Sequence, residues 1–170
     1  FFLVTIHPET SKKKNNLKEI SSLVDVLKDF RDFNIIWTGS NTDPGGLKIN
    51  KYLSKVKNIF KIENLGEMYL PVMKRCSAVI GNSSSGIIEA PIMGVPTINI
   101  GSRQDGRIRC NSIFDCSFDK ESISKNIMKC LNTKIRFSHP YGSGDTSKKI
   151  LQSLVKFKFN VGKKEFYDKN

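Results

Sequence analysis

The chain has 170 residues, a net charge of +12, 38% hydrophobic and 26% charged residues. That suffices for one domain of ordinary size with the composition of a soluble globular protein, and no apolar run approaches bilayer-spanning length. The positive charge is mostly Lys spread along the chain, and its dense run, "SKKKNN", has no aromatic interleaving, so a solvated basic surface is favoured over a nucleic-acid footprint. A basic balance also raises the local concentration of an anionic small ligand.

Taken in order, "FFLVTI" reads as a buried strand, too short for a signal h-region and without a basic flank. The chain begins with Phe1 and not Met, so a piece of a longer protein is expected. After the loop "HPETSKKKNN", Leu17, Ile20, Val24, Leu27 and Phe30 recur at helical spacing and predict a helix over residues 16–32. "NIIWTG" is a second strand and "SNTDPGG" a turn-rich loop. A helix over 46–56, a strand at "NIFKI" and a helix over 67–75 that tolerates Pro71 in its first turns come next. "SAVIG" is a strand, "SSGIIEAPIMG" a helix, "PTINIG" a strand and "IFDC" a further short one. Helices close the chain at 119–132 and 145–158, so residues 1–158 are expected to form one domain and 159–170 a polar tail.

This alternation implies a parallel sheet with helices on both faces, a Rossmann-like α/β fold. Ligands of such sheets bind beyond the carboxyl ends of the strands. His7, residues 41–46, residues 82–86 and residues 101–107 all come directly after strands and open on that edge. Four cysteines, Cys76, Cys110, Cys116 and Cys130, are widely spaced with no CxxC pair, which favours free cytosolic thiols and no metal site.

The densest chemistry lies in "AVIGNSSSGIIEAPIMGVPTINIGSRQDGR". One serine is enough to cap a helix; Ser83, Ser84 and Ser85 with Gly86 exceed that need. The turn is either an ordinary cap with spare serines or an anion site of hydroxyls, N–H groups and the helix dipole, suited to a phosphate or diphosphate. It is neither GxGxxG nor GxxxxGK[ST]. Glu89 stands too deep for a capping box, so it is either a favourable charge near a helix start or an acceptor for sugar hydroxyls. Arg103 and Arg107 are either solvated or phosphate forks at the same crevice.

The run "GNSSSGIIEAPIMGVPTINIGSRQDGR" closely resembles the UDP-N-acetylglucosamine 2-epimerases, the hydrolysing branch in particular, and "VTIHPET" and "HPYGSGDTSKKI" fit in the same order. Pro8 after His7, where non-hydrolysing relatives carry Arg, points to the same branch. The resemblance implies one half of a two-domain GT-B enzyme, its C-terminal domain. It places UDP or a UDP-sugar at Ser83, Ser84, Ser85, Gly86, Glu89 and Arg103, with Glu89 on the ribose and catalytic His7 at the reacting diphosphate end. It implies elimination of UDP to a 2-acetamidoglucal, then addition of water to give N-acetylmannosamine for sialic-acid-type sugars. Carboxylates of an N-terminal domain would take the C2 proton. No cofactor, nucleic acid or membrane partner is expected. A cytoplasmic homo-oligomer is expected of the full-length enzyme. Alternatives are a relative acting on a diacetamido or GDP-linked sugar, another GT-B glycosyltransferase, and a non-catalytic nucleotide-binding domain.

Overall fold

The computed structural model describes residues 1–9, 16–40, 45–157 and 162. Residues 10–15, with most of the basic run, residues 41–44 of the second loop, and residues 158–170 apart from 162, with the expected polar tail, lie outside the described residues. The strands are β1 (Phe2–Thr5), β2 (Ile35–Thr38), β3 (Phe60–Ile62), β4 (Ala78–Gly81), β5 (Thr97–Ile100) and β6 (Ile113–Cys116). The helices are α1 (Asn16–Asp29), α2 (Gly46–Leu53), α3 (Tyr69–Met73), α4 (Ser84–Ile87), α5 (Glu89–Ile92), α6 (Lys120–Asn132) and α7 (Thr146–Lys156). A 3-10 turn, Gly66–Met68, leads into α3, which holds Pro71 at its third residue.

By internal contacts the chain divides into two units. Phe1–Pro140 holds the sheet; Tyr141–Asn170 holds α7, whose first turn carries a Lys149–Asp145 ion pair of 3.0 Å. All strands pair in parallel in the order β3-β2-β1-β4-β5-β6, the Rossmann order. The order reverses between β1 and β4, so the crevice that ligands use opens there.

Strand alternation divides the core in two. Phe2 and Val4 of β1 and Ala78 and Ile80 of β4 face a cluster with Ile20, Val24 and Leu27 of α1, Ile49 of α2 and Ile123 and Ile127 of α6. Leu3 and Val79 face the opposite side, against Met73 of α3 and Ala90 of α5. Burying both faces explains why the strands read as continuous apolar runs. Among the described residues no helix is long and apolar enough to cross a membrane.

Two local expectations need correction. Leu17, expected on the buried face of α1, is 39% exposed; Leu23 and Val26 are buried in the core instead. The single helix expected over "SSGIIEAPIMG" is interrupted at Ile88, where φ is −103°. Pro91 lacks the N–H that the Ile87 carbonyl would accept from four residues ahead, and its ring crowds that carbonyl. α4 is therefore four residues long, and the helix dipole invoked for the serine turn has little length over which to build.

Candidate functional site

β1 and β4 approach so closely at their carboxyl ends that a Cβ on Gly81 would collide with the Thr5 carbonyl. Glycine, at φ +144°, is what permits the turn. The next residue then fastens the two strand ends together. Asn82, fully buried, accepts from the His7 N–H through Oδ1 at 2.7 Å and donates through Nδ2 to the His7 carbonyl at 2.8 Å. The pair satisfies both backbone groups of His7 where no strand partner remains for them.

In front of this junction lies a cleft of about 840 Å³. His7, Ser83 and Ser85 line one side; Thr38, Gly39, Ser40, Glu63 and Tyr69 line the other parts. Its floor is polar: the Thr5 and Thr38 hydroxyls lie 2.7 Å apart. Ser83 caps α4, its Oγ accepting from the Ser85 N–H at 3.4 Å and from the Ser85 hydroxyl at 3.0 Å. The Ser85 and Tyr69 hydroxyls are 2.6 Å apart. Three hydroxyls thus form a chain along the wall, ready to donate to an anion or to hydroxyls of a ligand.

The loop after β5 closes in from the other flank. Arg103 Nη1 and Gln104 Nε2 donate to the Asn82 carbonyl at 3.3 and 2.8 Å. Arg109 braces the loop from below, donating to Asp115 through Nε at 2.9 Å and to the Gln104 carbonyl through Nη1 at 2.8 Å. Glu89 is the first residue of α5, and its Oε2 is buried without a hydrogen-bond partner.

Of the residues singled out from sequence, the structure brings His7, Ser83 and Ser85 onto one cleft, with Arg103 tied to the adjoining Asn82. Ser84, Gly86, Glu89 and Arg103 do not line it. Gly86 packs on β5, where a Cβ would stand 2.7 Å from the Thr97 methyl, and its carbonyl accepts from the Thr97 hydroxyl at 2.7 Å. That gives the glycine a packing reason of its own. Arg107 is exposed. Sequence reasoning passes over Asn82 as a mere loop residue, and it passes over Tyr69, Thr5, Thr38, Glu63 and Glu9. A signal for Thr5 and Thr38 is present: both are polar residues closing otherwise apolar strands.

The cysteines are free thiols and lie away from the cleft lining. Burial pushes Cys76 and Cys130 up to about 11. Burial, with Asp119 and Asp115 nearby, pushes Cys116 up to about 12. They are poor nucleophiles at neutral pH.

A family profile described as UDP-N-acetylglucosamine 2-epimerase matches residues 1–155. A GDP/UDP-N,N'-diacetylbacillosamine 2-epimerase (hydrolyzing) of Campylobacter jejuni is 45% identical over 120 residues, which is 67% of this chain and 31% of that protein. Polysialic acid biosynthesis protein P7 of Escherichia coli is 34% identical, over 99% of this chain and 46% of its own length. The UDP-GlcNAc 2-epimerase of Methanocaldococcus jannaschii, solved with UDP-GlcNAc and UDP, superposes with a TM-score of 0.74 at 22% identity, covering 91% of this chain and 45% of that one. At that identity the likeness concerns the fold. The chain spans less than half the length of each of these proteins.

Proposed function

Since this chain belongs to the UDP-N-acetylglucosamine 2-epimerase family, we propose that it is the nucleotide-binding half of a hydrolysing enzyme that releases UDP from UDP-N-acetylglucosamine. The observation that carries this reading is the convergence of His7, Ser83 and Ser85 on one cleft at the point where the strand order reverses. The diphosphate would sit against the serine turn, receiving hydrogen bonds from its hydroxyls and from the Ser84 backbone N–H, while the Gly86 N–H is held inside the turn by the Ser83 carbonyl. Arg103 would supply the cation that stabilises departing UDP. His7, held through its backbone by Asn82, would face the reacting end. The unpaired Glu89 Oε2 would accept from the ribose hydroxyls.

The proton at C2 of the sugar would be taken by carboxylates of a preceding half, which this chain does not supply, so we propose that residues 1–158 work as one domain of a larger cytoplasmic homo-oligomer. N-acetylmannosamine for sialic-acid-type sugars is the proposed product; the Escherichia coli relative named for polysialic acid biosynthesis supports that direction. The second reading, a diacetamido sugar on GDP or UDP, is favoured by the Campylobacter jejuni relative.

Calorimetric titration of the chain with UDP, GDP and inorganic pyrophosphate tests the proposal. UDP is expected to bind more tightly than either. Equal binding of GDP would favour the second reading, and no binding of any of them would remove the nucleotide site. The chain alone is expected to yield no N-acetylmannosamine from UDP-N-acetylglucosamine; turnover at enzymatic rates would overturn the division of labour between the halves.

A further inference from the structure

Glu9 leaves β1 two residues after His7, in a polar loop where a carboxylate reads as solvated. It is instead 6% exposed. Its Oε1 accepts from the Ser102 N–H at 3.0 Å and the Arg103 N–H at 3.2 Å, and its Oε2 accepts from the Ser102 hydroxyl at 3.3 Å. These bonds span 93 and 94 residues of sequence and join the loop that carries His7 to the loop that carries Arg103. Burying a carboxylate is costly unless donors replace its water, and here the donors are the Ser102 and Arg103 backbone N–H groups and the Ser102 hydroxyl, while the Arg103 guanidinium reaches the Asn82 carbonyl beside the cleft. Gly101 makes the approach possible. It has φ +81°, and a Cβ there would collide with Glu9 Oε1 on one side and lie 2.8 Å from the Phe118 ring on the other.

A second link runs in parallel. Asn82 holds the His7 backbone with its side chain and receives Arg103 and Gln104 on its carbonyl. His7, Asn82, Arg103 and Glu9 therefore close a ring around the β1–β4 crevice. With Glu9 removed, the Ser102 and Arg103 N–H groups lose their acceptor and Arg103 is held by its side chain alone.

We propose that Glu9 is a positioning residue: its buried carboxylate holds the backbone at Ser102 and Arg103 and so fixes where the Arg103 guanidinium meets the diphosphate of the ligand. The claim about the ligand rests on the nucleotide reading above; the claim about the loop does not.

The test uses the 170-residue chain as wild type, Glu9→Gln, Glu9→Ala, Arg103→Ala and the double variant. Two quantities are read: amide hydrogen exchange at Ser102 and Arg103 relative to Val79 and Ile98 of the sheet, and UDP affinity by calorimetry. Glu9→Ala is expected to speed exchange at 102 and 103 by roughly tenfold or more, the loss of charge-assisted bonds, without moving the sheet amides. It is expected to weaken UDP by roughly tenfold in the wild-type background and not at all in the Arg103→Ala background, because a group that acts through another adds nothing once the other is gone. Glu9→Gln keeps a carbonyl acceptor and is expected to fall between; it decides the matter by exchange if the alanine variant does not fold. Unchanged exchange at 102 and 103, or an equal loss of affinity in both backgrounds, would overturn the proposal. If the wild type binds no UDP, the nucleotide reading fails by itself, while the exchange data still establish or refute the hold of Glu9 on the loop.

Discussion

Asp119 and Ser83 both cap a helix, one before the 13-residue α6 and the other before the four-residue α4. At α6 the cap is a charged side chain at the surface: Asp119 Oδ1 accepts from the Ser122 N–H at 2.8 Å, and Ser117 donates its hydroxyl to the other oxygen. Those bonds anchor a helix whose Ile123 and Ile127 are fully buried. At α4 the capping bond is long, 3.4 Å, and the hydroxyls are bonded mostly to one another and to Tyr69 along the wall of the cleft. A four-residue helix interrupted at Ile88 offers little for a cap to stabilise. A polar cap at the same position thus serves helix stability in one place and presents donors to a crevice in the other. Both turns lie on the carboxyl edge of the parallel sheet; the difference is decided by where along that edge each stands, beside the β1–β4 crevice or after the outermost strand β6, and by the length of the helix each one starts.

The largest expected effect comes from removing the side chain that holds the serine turn in place. Asn82→Ala deletes both hydrogen bonds from this side chain to the buried His7 backbone, which costs about 2–4 kcal/mol by urea denaturation and should abolish UDP binding as well. A loss below that of a helix cap would show that water replaces the amide and that the crevice is not dry. Next is Glu89. If the unpaired Glu89 Oε2 accepts from the ribose as proposed, Glu89→Gln should weaken UDP by about 1–3 kcal/mol and shrink its margin over 2′-deoxy-UDP. Unchanged discrimination, measured by competition, would detach Glu89 from the ribose.

Acid separates the two turns further. The Ser117 hydroxyl, then the Ser122 N–H, hold the Asp119 carboxyl below its ordinary 3.8. A carboxyl depressed in the folded state contributes stability that is present above its ordinary value and lost as pH falls through the depressed one. The start of α6 should therefore keep its amide protection above the ordinary 3.8 and lose it as pH falls below that through the depressed value, while the serine turn, with nothing to titrate, does not respond; protection lost first at Ser85 and Gly86 would contradict this. The smallest effect at ordinary pH belongs to the buried thiols. Raised from 9.0 to about 11 for Cys76 and Cys130 and about 12 for Cys116, they favour the protonated folded state. Their contribution is complete below pH 9 and is lost as pH rises from 9 through 11 to 12. Iodoacetamide labelling at pH 8 should thus be slow in the native chain and fast in urea.

How much of this is legible in the sequence depends on range. The strands and most helices are, because burial on both faces writes itself as unbroken apolar runs such as "FFLVTI" and "AVIG". The location of His7 and the serine turn on one sheet edge comes from their place after strands. The break at Ile88 is hidden, although Pro91 stands in plain view, because apolar spacing continues across it. Glu9 and Asn82 are illegible for a different reason. Each gains its role from partners 93 and 75 residues away, and nothing local distinguishes a clamped carboxylate or amide from a solvated one.

Whether the serine turn holds a ligand, and is more than a cap, is tested most directly by titrating UDP into Ser83→Ala and Asp119→Ala side by side, each paired with a urea melt. Asp119→Ala is expected to lower stability, as the loss of a helix cap does, and leave UDP affinity unchanged. Ser83→Ala is expected to weaken UDP by about 1.5–3 kcal/mol, roughly ten- to hundredfold, with a smaller loss of stability than Asp119→Ala. If Ser83→Ala binds UDP as the wild type does and loses as much stability as Asp119→Ala, the turn is an ordinary cap and the site lies elsewhere.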